Sequence, residues 1–313
     1  MAVGLGAAGI VGIGFEALAT PGTYVAPTKY LPIENETIQF DQPITKRRPI
    51  QGVVDPVGSV LGDGSVSGDI TLAAYHDIIP YFQYASRATV TKSGAGPFTY
   101  AGVASHIAEP NYTLSITIER NGIVFGYAGC AVASQSWSID DGILMVTYSI
   151  VGYDEAVQAG PTATYDSTGN EFQSGNYTVE YADVSVDTVT DLSIEIDDSG
   201  VAEARITGTS GADIILWGER TTTVSLSRDF EARTEYDLFR AATSQKFELI
   251  VTDGTHSLDF LVPVLVAGSY EIQLSGQGEV VRGSVEYEGD YDSVTGSGYT
   301  LTTITDEDIT VPV

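Results

Sequence analysis

Residues 64–85, GSVSGDITLAAYHDIIPYFQYA, return in the second half of the chain as residues 224–245, VSLSRDFEARTEYDLFRAATSQ. Without a gap, Ser65, Ser67, Asp69 and Asp77 fall on Ser225, Ser227, Asp229 and Asp237, while Val66, Ile70, Ile78 and Ile79 fall on Leu226, Phe230, Leu238 and Phe239. Polar stands on polar and apolar on apolar. The front of each copy alternates with period two, as a strand with one buried face does, and its back packs apolar residues densely enough for a short helix. A strand running into a helix is expected twice, with the helices at residues 74–85 and 235–243.

The echo extends downstream. Residues 113–132 match residues 247–265, which sets Asn121-Gly122 and Asp253-Gly254 at the same place between two alternating runs. Both dipeptides suit the type I′ turn of a hairpin. Residues 132–139 match 265–272, and residues 148–154 resemble 285–292. Four stretches recurring in one order imply an internal duplication. The expected organisation is a first domain over 1–158 with an N-terminal arm, a linker over 159–176 and a second domain over 177–313 with a C-terminal arm. The fold class is mainly β, two tandem β-sandwich or barrel domains, each with one short flanking α-helix.

Residues 87–111, an addition in the first half, read as an exposed loop from their Gly and Pro content, and residues 293–313 end in an alternating segment able to pair as an added strand, with a neighbouring subunit as one place for it. Gly4, Gly6 and Gly9 fit G-x-G-x-x-G, but no strand precedes them, so this reads as an arm or first strand rather than a nucleotide loop.

A net charge of −28, with ten Arg against four Lys, repels itself at low salt and fits a protein adapted to high salt, where the screening length shrinks to about 3 Å near 1 M. Tight nucleic-acid binding needs clustered Lys and Arg and is disfavoured. Lys46, Arg47 and Arg48, followed by Pro49, form the one basic cluster. Cys130 stands alone and reads as a buried apolar filler, without disulfide or thiolate zinc site. His76, His106 and His256 read as isolated, no nucleophile-base or phosphate-loop signature occurs, and no cofactor or metal is expected. Asp140-Asp141 and Asp197-Asp198 read as turn residues.

Phe15, Glu16, Pro21, Gly22, Thr23, Pro27, Thr28, Lys29, Tyr30, Leu31 and Pro32, with the basic loop, the strand-helix unit and the late GYAGC strand, carry a resemblance over the first half. In these features the chain resembles the tail tube proteins of long-tailed viruses. That resemblance implies a non-enzymatic virion protein, made in the host cytoplasm, whose rings stack into a tube that conducts viral DNA without specific binding. It implies partners in copies of itself and in other tail proteins at the ends, with no membrane. Rings of six tube domains imply three chains here, with a pseudo-sixfold barrel, or six chains with the second half outside. Joined sheets leave no free strand edge, which favours rings over monomers. From alternation, the expected channel lining is Ser65, Ser67, Asp69, Ser225, Ser227 and Asp229, with Glu34, Glu36, Glu271, Gln273, Glu286 and Glu288. Lys46, Arg47, Arg48 and Pro49 are expected to touch the adjacent ring. An acidic cell-surface or adhesive β-sandwich is the competing reading.

Overall fold

The computed structural model describes residues 9–312 except 52–53, 105–109, 111, 161, 166–168, 174, 206–210, 231–232 and 274–279. The start of the N-terminal arm and His106 therefore lie outside the described residues. β1 (Ile10–Phe15) precedes the short β2 (Lys29–Tyr30), β3 (Asn35–Glu36) and β4 (Gln39–Asp41), and then an arm made of β5 (Ile44–Arg47) and β6 (Gly58–Leu61). β7 (Ser65–Ala73) enters α1 (Ile79–Ala85), and β8 (Ala88–Ser93) with β9 (Phe98–Ala104) forms a hairpin. β10 (Leu114–Arg120), β11 (Ile123–Asp140), β12 (Ile143–Gly152) and β13 (Asp154–Gln158) complete the first half. The second half runs through β14 (Tyr177–Tyr181), β15 (Val184–Ser185), β16 (Val189–Asp197), β17 (Val201–Glu203), β18 (Ile214–Leu216) and β19 (Thr221–Asp229). It continues with α2 (Thr234–Arg240), β20 (Gln245–Thr252), β21 (Ser257–Gln273), β22 (Arg282–Gly289) and β23 (Thr300–Thr305).

Nineteen strands join in one antiparallel system. One layer has the order β4, β7, β12, β11, β16, β19, β22, β21, with β3 beside β4 on β7. It crosses from the first half to the second at β11 and β16. The rest of the system forms two further groups, β2, β1, β10, β11, β13 and β15, β14, β20, β21, β23, β9, β8. β11 and β21 serve both layers because they are 18 and 17 residues long, against a usual strand of about 5–6. Each passes from one layer to the other near a register shift, between Val132 and Ser134 in β11 and between Ala267 and Ser269 in β21. A shift of this kind adds a residue and bends the strand. At Gly129 the backbone has φ +67°, and an added Cβ would sit 2.2 Å from the Tyr153 ring, so only glycine fits.

Buried alternate residues of the layers and α1 make one core. All seven residues of α1 are buried, the pattern of a helix that is apolar on every side. Phe82 stacks on Tyr148 with ring centroids 4.1 Å apart, and Gln83 donates from Nε2 to the Leu301 carbonyl at 3.0 Å. β8, β9 and β23 cover this helix. Among the described residues α2 has no such cover: Tyr236 and Phe239 meet Tyr270 of β21 at 5.8 and 6.0 Å, and Asp237 and Arg240 are exposed.

Several expectations need correcting. The helices span Ile79–Ala85 and Thr234–Arg240, not residues 74–85 and 235–243, because Ala74 still exchanges sheet-like backbone bonds with Leu144 and Phe172. The expected loop at 87–111 contains the β8–β9 hairpin, with Tyr100 fully buried over α1. The C-terminal strand β23 pairs with β21 and β9 of its own chain rather than with a neighbour. Asn121-Gly122 is a two-residue turn with both φ values positive, but Asp253-Gly254 opens a four-residue loop. There Asp253 caps the backbone N–H groups of Thr255 and His256, an Asx turn that replaces the type I′ geometry. Within the expected linker, Phe172 is buried in the core.

Candidate functional site

The layer that crosses between the halves buries one parity of its residues and leaves the other open. Register aligns the open residues in rows across the strands. Asp69, Ser149, Ser134, Asp197 and Thr221 form one row, and Thr71, Thr147, Ser136, Glu195, Thr223 and Glu288 the next. Met145, Ser138, Ser193, Ser225, Glu286 and Ser269 form a third, then Asp191, Ser227, Ser284 and Glu271 a fourth. None of these is buried, whereas Val146, Trp137, Ile194 and Val224 on the reverse side are. Apart from Met145 these rows carry hydroxyls and carboxylates, and Arg282, opposite Asp229, is the one cation among the described residues of the face. Such a face repels polyanions and offers no strong grip to phosphate.

Of the residues expected to line a channel, Ser65, Ser67, Asp69, Ser225, Ser227, Asp229, Glu271, Glu286 and Glu288 share this face. Glu36 does not: it pairs with core-facing Ile70, and its carboxylate takes the Arg120 guanidinium at 2.9 and 2.5 Å. Glu34 is exposed but precedes β3. Gln273 lies opposite Arg282, and its side chain falls outside the described residues. Ser134, Ser136, Glu195 and Asp197 were not anticipated, although the alternation in SQSWSID and LSIEID marks them.

Lys46, Arg47, Arg48 and Pro49 lie on the arm of β5 and β6, whose residues are all exposed. Ile44, Val60 and Leu61 add apolar surface there. β17 and β18 occupy the corresponding chain position between β16 and β19, but they fold back. Ala212 donates to the Gly64 carbonyl at 2.9 Å, and Ile215 is buried.

Two ionic clusters and a pair of stacked histidines tie the halves together. Buried Asp198 takes Arg220 at 2.6 Å and Arg87 at 3.6 Å; burial pushes its carboxyl up against the pull of the two arginines. Buried Lys29 meets Asp77 at 2.8 Å and Glu307 at 3.3 Å. His76 and His256, read as isolated in the sequence, are stacked with centroids 3.8 Å apart and planes 10° apart. His76 shares a hydrogen bond with Thr305, and His256 bonds Asp253 and Asp306 through its two nitrogens. Burial would lower the His256 pKa, but these carboxylates outweigh it and raise it, while burial and the neighbouring ring lower that of His76. His76, Asp253 and His256 place three ligand atoms within 4.8 Å. An imidazole nitrogen binds a metal roughly in its ring plane, and these two rings lie face to face, so as placed they do not aim both lone pairs at one point.

Glu16 explains much of the N-terminal motif. Its buried carboxylate accepts from Gly22 N at 2.6 Å, Thr113 Oγ1 at 2.7 Å, Ser115 Oγ at 2.7 Å and Gly129 N at 2.8 Å. The loop after β1 is thereby pinned to β10 and β11.

A family model described as phage tail tube protein matches residues 6–301, nearly the whole chain. No curated protein matches it. An all-antiparallel scaffold with an open polar face and a projecting arm agrees with that match, and the chain belongs to the phage tail tube protein family, whose members are structural, non-enzymatic parts of the virion tail.

Proposed function

We propose that the chain holds two tube modules, residues 1–158 and 177–313 joined by 159–176, and that three copies close one ring of the tube that conducts viral DNA. The repeated strand order carries this reading. β4, β7, β12, β11 is followed by β16, β19, β22, β21, and beside them β1, β10, β11, β13 is matched by β14, β20, β21, β23. In both sets a nine-residue strand, β7 or β19, leads to a seven-residue helix. Eight strands per chain then make 3 × 8 = 24 in a closed barrel. Closure satisfies the edges at β4 and β21.

With the open face turned to the axis, Ser65, Ser67, Asp69, Ser225, Ser227, Asp229, Glu271, Glu286 and Glu288 line the channel. Three chains bring 3 × 28 = 84 negative charges to a ring, so DNA slides along the wall without sticking. The exposed arm with Lys46, Arg47, Arg48 and Pro49 reaches the acidic surface of the next ring. Other tail proteins cap the ends, and high salt screens the charge. Negative-stain microscopy of concentrated protein in about 1 M salt, where screening is strongest, tests the reading. Tubes with an axial hole are expected; dispersed monomers at every salt concentration would refute it.

A further inference from the structure

Within the chain, β11 and β16 meet as neighbouring edge strands of the two halves. Their register is Ser134 opposite Asp197, Ser136 opposite Glu195 and Trp137 opposite Ile194. At the two ends of the same layer, residues 269–273 of β21 and the pair β3 and β4 each have one partner strand and, among the described residues, no strand on the second edge; at the β3 and β4 end the Arg120 guanidinium donates there to the Ile38 carbonyl at 2.5 Å. Partner strands relate these edges to the joined ones. Ser134 and Ser136 face Ser149 and Thr147 on β12, as Ser269 and Glu271 face Glu286 and Ser284 on β22. Likewise Asp197 and Glu195 face Thr221 and Thr223 at the start of β19, as Asp41 and Gln39 face Ser65 and Ser67 at the start of β7.

We infer that β21 of one copy pairs antiparallel with β3 and β4 of a second copy in the register that β11 and β16 use, setting Ser269 opposite Asp41, Glu271 opposite Gln39 and Ile272 opposite Ile38. This inference deepens the proposed ring and rests on it. Two observations support the register besides the repeated order. Ile272 takes the place of Trp137, which is buried, yet is 43% exposed in the single chain, an apolar residue on an unpaired strand edge that the second copy would cover. The hydrogen-bonding parity also agrees. Asp198 N donates to the Ala133 carbonyl, so Ile196 and Ile194 turn their backbone groups toward β11. Thr37 N donates to the Asp69 carbonyl, which leaves the backbone groups of Ile38 and Phe40 aimed outward from β7. Ser269 and Asp41 then form a non-hydrogen-bonded pair, with Cα atoms about 4.5 Å apart, within disulfide range.

Oxidation of assembled S269C/D41C protein tests this on denaturing gels, with the intrachain pair S134C/D197C as a geometric control and S269C/T37C as the off-register control. Thr37 is four residues along the strand from Asp41, roughly 13 Å away. The expected result is interchain cross-linking of S269C/D41C, a ladder that stops at three chains, and monomers from S269C/T37C. Tubes that form without cross-linking of S269C/D41C, or that cross-link through S269C/T37C, overturn the register while leaving the ring intact. A ladder that stops at six chains keeps the register and overturns the three-chain ring. Absence of rings from the unsubstituted protein overturns both.

Discussion

At the scale of single residues, buried carboxylates divide into satisfied and unsatisfied ones. Glu16 accepts four hydrogen bonds, so Glu16→Gln turns an amide N–H against donors already in place. Chemical unfolding should show a loss of about 3 kcal/mol, as expected when a charged, fully bonded group is disrupted. An unchanged midpoint would remove Glu16 from its pinning role. Asp259 is the opposite case: burial first, then Glu248, pushes its pKa up to about 6, and its Oδ1 is buried without a partner. The folded chain therefore binds this proton more tightly than the unfolded chain, whose carboxyl titrates near 3.9. The contribution of Asp259 to stability rises as pH falls through about 6 toward 4, and its charged form costs stability above that range. Asp259→Asn should raise the melting temperature at pH 8, with the gain fading near pH 4; a gain of the same size at both pH values would contradict this account.

At the scale of elements, the two helices have equal length and unequal burial. Phe82→Ala in α1 should cost about 4 kcal/mol because it opens a cavity against Tyr148, whereas Phe239→Ala in the uncovered α2 should cost about 1 kcal/mol. Equal losses in urea titration would mean that α2 is as deeply packed as α1. Reversing the arm charges, K46E/R47E/R48E, should leave single rings intact and shorten the tubes seen by microscopy. Alternation made most strands legible in the sequence, and with them the polar face of β7, β19 and β22. It could not fix the register of the echo. On the proposed two-module reading, strand ends and partners align Ser65 with Thr221, four residues from the sequence match to Ser225, because a period-two pattern fits itself at every even shift. The stacking of His76 on His256 was hidden for another reason: it depends on β23 and the loop after β20 meeting the first half, contacts between segments far apart in the chain.

At the scale of the whole molecule, a surface with net charge −28 opposes every association between copies unless ions screen it. Sedimentation should therefore show assembly increasing from low salt to about 1 M; assembly that weakens over that range would point to attraction between unlike charges as the main driving force. The central claim is that each chain supplies two neighbouring sectors of a continuous barrel. Its most direct test is the rotational symmetry of assembled tubes by electron cryomicroscopy. The account predicts threefold symmetry with six similar sectors around the hole, and six chains around the axis, with one half of each lying outside the barrel, would contradict it.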